Sequence, residues 1–346
     1  MRILLTGDYF YDHNMKQDDF ENIKKEFISV DFTIINYEGT LKSNSVLKKA
    51  VNLSMSDESL NLPKNSILCL SNNHILDFGI EGHNNTIESI KKKQLGYLGL
   101  ESKRNQFDNF KIIIKNDIKV CIASFGWLNE ECVLSQNNIP GNVNLTKQNI
   151  EIFFNKIKNI DYDKLIIYVH YGYEYEYYPL PLHVSLFREM IDLGADFIYS
   201  SHSHIIQPYE IYNDKYIFYG LGNFYFASRR EIYPENSDEG LFLELEINND
   251  DIKVVPKYIK YDRNKQQSLI EDTCDYFSEH HLNIKSFNEY SLNYATIRTR
   301  KKNPRPILYA NSNISNYLKF TIWKLIVDIT GALKIRQLVK KILGWN

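Results

Sequence analysis

Five short apolar runs in the first two hundred residues each give way, within a few positions, to a side chain that can bind metal. The run 3–5 leads to Asp8, 32–35 to Glu38, 67–70 to Asn73-His74, 165–169 to His170, and 197–199 to His202-Ser203-His204. The runs are strand-length and rich in β-branched residues, and amphipathic stretches separate several of them, as βαβ units around a central sheet require. Neighbouring strands of this kind bring their carboxyl ends to one sheet edge, where open α/β folds place their sites. One pocket is then assembled from five places in the chain.

The spacing predicts further strands over 111–114 and 120–125, and helices over 20–28, 80–94, 147–157 and 183–193, the last stopped by Gly194 as a C-terminal cap. After His204 the pattern changes to strands without helices, over 205–212, 216–219, 241–247 and 252–258, with hairpin turns at Asn213-Asp214 and 248–251. The motif-bearing domain is expected to close near residue 260. Residues 261–315 read as an irregular extension with a basic linker at 298–305, and 316–346 as a basic amphipathic helix.

At 346 residues the chain can bury a sizeable core. Its net charge of −2 is unevenly spread, because residues 296–346 carry eleven Lys or Arg against the single Asp328, leaving −12 on the rest. A body of that charge would repel a phosphate backbone, so no nucleic-acid partner is expected. Lys319, Lys324, Asp328, Lys334, Arg336, Lys340 and Lys341 interrupt the last segment, so it does not read as a spanning helix. Two readings stay open for it: a helix with Trp323 and Trp345 lying on an anionic membrane surface, or a terminal helix docked on the body or on a second subunit. Cys69, Cys121, Cys132 and Cys274 have no disulfide-framework spacing, and Met1-Arg2 runs straight into the first strand without a leader-like segment. The expectation is a cytoplasmic protein, which the first reading of the tail would make peripheral at the inner face of the membrane.

Histidines two apart project to the same side of an extended chain, so His202 and His204 can face one cavity. Alone, such a pair is a weak signal, and Asn72-Asn73-His74 alone reads as a polar helix cap. Together they fit a site in which an Asn carbonyl ligates a hard or borderline ion while His74, oriented by Asp77, handles a proton. Tyr175, in the tyrosine-rich stretch around Glu174, has a sugar-stacking and a plain packing reading. Arg229 has two as well, a grip on a substrate anion or a solvated charge.

Six motifs occur in a characteristic order: Gly7-Asp8; Asn36-Tyr37-Glu38-Gly39; Asn72-Asn73-His74 with Asp77 and Gly79; His170-Tyr171-Gly172-Tyr173-Glu174-Tyr175; Gly194-Ala195-Asp196 with His202-Ser203-His204 and Gln207; and Gly220-Leu221-Gly222-Asn223-Phe224. Over residues 1–260 the chain resembles the CapA family of poly-γ-glutamate capsule-synthesis proteins, within the calcineurin-like metallophosphoesterase superfamily. The resemblance implies a four-layer α/β sandwich with two divalent metal ions (Mn, Fe or Zn). It implies one ion held by Glu38, Asn73, His170 and His202, and the other by Asp8, Glu38 and His204, with Glu38 bridging. His74 would protonate the leaving group or steady the transition state with Asp77 fixing its orientation, and Glu174 and Gln207 would line the mouth; Tyr175, Asn223 and Arg229 are further candidates for contact with the substrate.

Two positions depart from the pattern. Asp8-Tyr9-Phe10 lacks the histidine of the superfamily's Asp-x-His, which His13 replaces only if its loop folds back, and Ser201 stands where a Gly is usual and is expected to change little. The function implied is a dinuclear metal-dependent hydrolase, phosphoesterase-like, acting on a phosphoester or surface polymer in capsule biosynthesis. Two alternatives share the resemblance: a γ-glutamyl amide hydrolase or transferase, and a non-catalytic assembly factor seated by its tail beside a membrane capsule synthase.

Overall fold

The computed structural model describes residues 1–11, 17–46, 51–101, 107, 109–127, 132, 140–226, 235–265, 267–272, 280–284, 286–291 and 294. The chain opens with β1 (Arg2–Phe10), α1 (Gln17–Ile28), β2 (Phe32–Tyr37), β3 (Thr40–Leu41), β4 (Ser54–Met55), β5 (Ser66–Cys69), α2 (Gly79–Lys92) and β6 (Gly96–Leu98). It continues through β7 (Phe110–Lys115), β8 (Ile118–Gly126), α3 (Lys147–Ile157), β9 (Lys164–His170), α4 (Pro181–Asp192), β10 (Phe197–Ser201), β11 (Tyr209–Tyr212) and β12 (Lys215–Phe218). It closes with β13 (Asn223–Phe226), β14 (Glu239–Ile247), β15 (Ile252–Asp262) and β16 (Gln267–Asp272).

Two large sheets result. One has the order β16-β15-β14-β1-β2-β5-β6 with β13 also paired to β1, and the other the order β11-β12-β10-β9-β8-β7. The two-residue period of a strand divides its side chains between two cores. Along β1, Ile3 and Leu5 enter the core between the sheets while Leu4 faces Phe20, Ile23 and Phe27 of α1. Along β9, Ile166 and Tyr168 enter the same middle core while Leu165, Ile167 and Val169 meet α3 and α4. The layers are therefore helices, sheet, sheet, helices: a four-layer α/β sandwich.

The helices sit where the sequence places them. Thr146 caps α3, its hydroxyl accepting from Asn149 N at 3.1 Å, and Ile150, Phe153 and Ile157 fall on the buried face. Pro181 starts α4, and Gly194 at φ +115° ends it in a Schellman turn, with Ala195 N bonded to Met190 O and Gly194 N to Ile191 O. Asn213 and Asp214, both at positive φ, turn β11 into β12 as expected.

Three differences stand out. The run 205–212 becomes a strand only at Tyr209, because the residues before it form the loop that carries the site. The irregular stretch expected after residue 260 instead contains the end of β15 and all of β16 at the edge of the first sheet. Beyond it, Tyr209 N bonds His280 O, Leu282 N bonds Tyr209 O, and the buried Tyr290 hydroxyl donates to Pro179 O at 2.5 Å. Part of the expected linker thus packs on the body. The basic linker 298–305 and the tail helix 316–346 lie outside the described residues, among which no helix is long and apolar enough to cross a membrane.

Candidate metal centre

All five ligand-bearing runs converge at the carboxyl ends of β1, β2, β5, β9 and β10. Asp8 pairs in register with Asn36 of β2 and Asn223 of β13, and Ser201 of β10 lies opposite His170 of β9. Gly7 makes the first junction: a Cβ there would lie 2.1 Å from the carbonyl oxygen of Gly222, so only glycine lets the 220–222 turn approach β1.

Two groups of buried ligand atoms form, each within 4.8 Å: Glu38, His170 and His202, and Asp8, Glu38 and His204. Glu38 belongs to both. Its carboxylate is fully buried, and among the described residues neither oxygen has a hydrogen-bond donor. Instead, Oε1 faces three imidazole Nε2 atoms, at 3.7 Å from His204, 3.9 Å from His74 and 4.0 Å from His170. Burying a carboxylate in this way is costly unless a cation compensates it. Asn73 Oδ1 lies 2.9 Å from His170 Nε2. Two ligands at right angles around an ion at about 2.1 Å are separated by roughly 3.0 Å, so this pair also fits one ion. The donor set of carboxylate, imidazole and amide oxygen suits borderline divalent cations such as Mn, Fe or Zn.

The electrostatics agree with such a fit. Burial and the neighbouring Asp8 push the Glu38 carboxyl well above its usual range. Burial alone would lower His204, but the charges of Glu38 and Asp8 outweigh it and raise its pKa to about 10. Burial would likewise raise Asp8, yet its hydrogen bond to His204 and that residue's charge hold it below the ordinary carboxylate range.

His74 stands at the rim of this cluster. Its Nδ1 lies 2.6 Å from Asp77 Oδ2, which also accepts from Leu53 N at 2.6 Å, and its Nε2 faces Glu38. The other expected residues divide. Half-exposed Glu174 is close enough for its charge to raise both His204 and Glu38. Tyr175 is buried at φ +60°, its ring centroid 5.8 Å from that of His204 and its N bonded to Ser203 O at 2.7 Å. Gln207 is buried, and its amide donates to Glu176 O at 2.5 Å, so it ties loops together rather than lining an opening. Asn223 does not face outward either: its Oδ1 lies 2.9 Å from His204 Nδ1 and its Nδ2 donates to Ser237 O. Its amide is turned to His204 and the chain at Ser237. Arg229 and His13 lie outside the described residues.

Behind the ligands the structure brings in three residues that the sequence did not mark as part of the site: Asn36, Tyr168 and Ser201. Ser201 was expected to be a silent replacement, but its hydroxyl lies 2.7 Å from Tyr168 Oη and accepts from Asn36 Nδ2 at 3.1 Å. The alternation Tyr168-x-His170, which puts both on one face of β9, was the available signal.

Residues 2–228 match the family of bacterial capsule synthesis protein PGA_cap. The chain is 28% identical over 220 residues to the capsule biosynthesis protein CapA of Bacillus anthracis, covering 60% of this chain and 53% of that one. It is 26% identical over 275 residues to the PGA biosynthesis protein CapA of Bacillus subtilis (strain 168), covering 73% and 70%. It thus spans about half the length of the first relative and more of the second. Among solved structures, the NAD nucleotidase of Haemophilus influenzae superposes with a TM-score of 0.47 at 12% identity, over 87% of this chain and 60% of that one. With two thirds of its length matched by one family, the chain belongs to the bacterial capsule synthesis proteins of the PGA_cap type.

Proposed function

We propose that this protein is a dinuclear metal-dependent hydrolase, phosphoesterase-like, acting in the biosynthesis of a bacterial capsule or surface polymer. The observation that carries the reading is Glu38, a fully buried carboxylate with no hydrogen-bond donor among the described residues, shared by two clusters of ligand atoms. Glu38, Asn73, His170 and His202 would hold one ion, and Asp8, Glu38 and His204 the other. When bound, such a pair supplies Lewis acidity across the scissile group.

The chain's own residues supply the proton chemistry and the orientation. With Nδ1 committed to Asp77, His74 presents Nε2 as the atom that delivers a proton to the departing oxygen. Leu53 N keeps Asp77 in place, so the imidazole cannot turn away from the centre. Glu174 adds negative charge beside His204.

Hydrolysis of bis-p-nitrophenyl phosphate by manganese-loaded protein tests the reading. The rate should fall by about 10²–10⁴ in His74→Ala while ion content stays at the wild-type level. Absence of any activity on phosphodiesters, alongside cleavage of γ-glutamyl amides, would move the assignment to the amide bond.

A further inference from the structure

Asn36, Tyr168 and Ser201 do not belong to either group of ligand atoms, yet all three are buried behind them. Tyr168 Oη lies 3.0 Å from His170 Nδ1 and 2.7 Å from Ser201 Oγ. Asn36 Nδ2 donates to Ser201 Oγ at 3.1 Å and to Asp8 Oδ1 at 2.7 Å. Hydrogen bonds through Tyr168, Ser201 and Asn36 therefore link His170, in one ligand group, to Asp8, in the other.

We infer that Asn36, Tyr168 and Ser201 are positioning residues that fix both ion positions and couple them to each other. The inference rests on reading the centre as an ion site. An imidazole that ligates through Nε2 carries its proton on Nδ1 and needs an acceptor there. Tyr168 Oη is that acceptor, and its own proton goes to Ser201 Oγ. The second lone pair of Ser201 receives one proton of the Asn36 amide, and the other amide proton holds Asp8 Oδ1. That fixes Asp8 with Oδ2 turned towards His204, 3.3 Å from its Nδ1. The strand register sets the path, with Ser201 opposite His170 and Asn36 opposite Asp8. A glycine at 201 would leave the Tyr168 proton without this acceptor, so the serine is part of the centre's support.

Two variants separate this role from simple packing. Tyr168→Phe removes one hydroxyl and leaves the ring in the middle core beside Tyr199, at a centroid distance of 5.1 Å. Ser201→Ala breaks the path at its midpoint. Zinc affinities are measured by competition with a chromophoric chelator, together with the melting temperature of the metal-free proteins and ¹⁵N-histidine ring spectra of the zinc-loaded ones. Tyr168→Phe should weaken the ion bound by His170 about 10–100-fold and shift the His170 Nδ1–H resonance, and Ser201→Ala should weaken both ions. The metal-free melting temperatures should stay within about 2 °C of wild type. Wild-type affinities in both variants would overturn the positioning role alone. A weakening matched by an equal loss of metal-free stability would reduce the three residues to packing. A wild-type protein that binds no zinc would overturn the ion reading, and the coupling with it.

Discussion

Replacing Gly7 with alanine drives a methyl group into the turn that carries the last motif. The new Cβ would lie 2.1 Å from Gly222 O and 3.1 Å from its carbonyl carbon, both backbone atoms that no rotamer change can move aside. An ordinary carbon contact is longer than the first distance by more than about 1 Å, so β1 and β13 must part. Their separation breaks the Asp8 N–H bond to Gly222 O, now 3.0 Å long. It also shifts Asn223 away from His204. Overpacking of a closed interior costs about 1–3 kcal/mol, and the lost hydrogen bond about 1 kcal/mol. Together these give roughly 2–4 kcal/mol, or about 3–6 °C of melting temperature in a chain this large. Thermal unfolding with and without zinc measures it. Stabilisation by zinc should shrink as well, because the strand that moves carries Asp8. A melting temperature within about 2 °C of wild type would refute the claim that this junction is closed to a side chain.

Two other outcomes follow from the same geometry. With its pKa raised to about 10, His204 holds a proton at pH 7 that an ion must displace. Affinity then rises with pH, and calorimetry in buffers of differing ionisation enthalpy should count about one proton released per chain from His204, whereas none would contradict the assigned protonation. Asp77→Asn keeps the size of the side chain but removes the charge that holds His74 Nδ1–H. Turnover should fall about 10–100-fold with ion content preserved, and an unchanged kcat would remove Asp77 from the mechanism.

The ligand-bearing positions were legible because each terminates an apolar run, and the period of those runs dictated both the strands and their convergence. Helix α3 was equally legible, since Ile150, Phe153 and Ile157 repeat with the helical period behind a capping threonine. The network behind the centre was not. Asn36 and Ser201 are 165 residues apart, and no local spacing announces a bond between them. Ser201 looked silent because a hydroxyl beside a strand end has no pattern until its partner strand is placed. Gln207 and Asn223 were assigned to the substrate, but both are buried, the Gln207 NH2 donating to Glu176 O and the Asn223 amide meeting Ser237 and His204. Strand β13 was missed because it is four residues long and pairs with β1, more than two hundred positions upstream. Strand β16 reads as polar because it lies at a sheet edge, where one side needs no apolar cover.

Elemental analysis of purified protein after reloading with zinc or manganese, wild type beside Glu38→Gln, is the most direct check on the shared carboxylate. Because Glu38 belongs to both ligand groups, wild type should carry two ions per chain and the variant close to none. Two ions retained in Glu38→Gln, or none in metal-replete wild type, would contradict a dinuclear centre built on this residue.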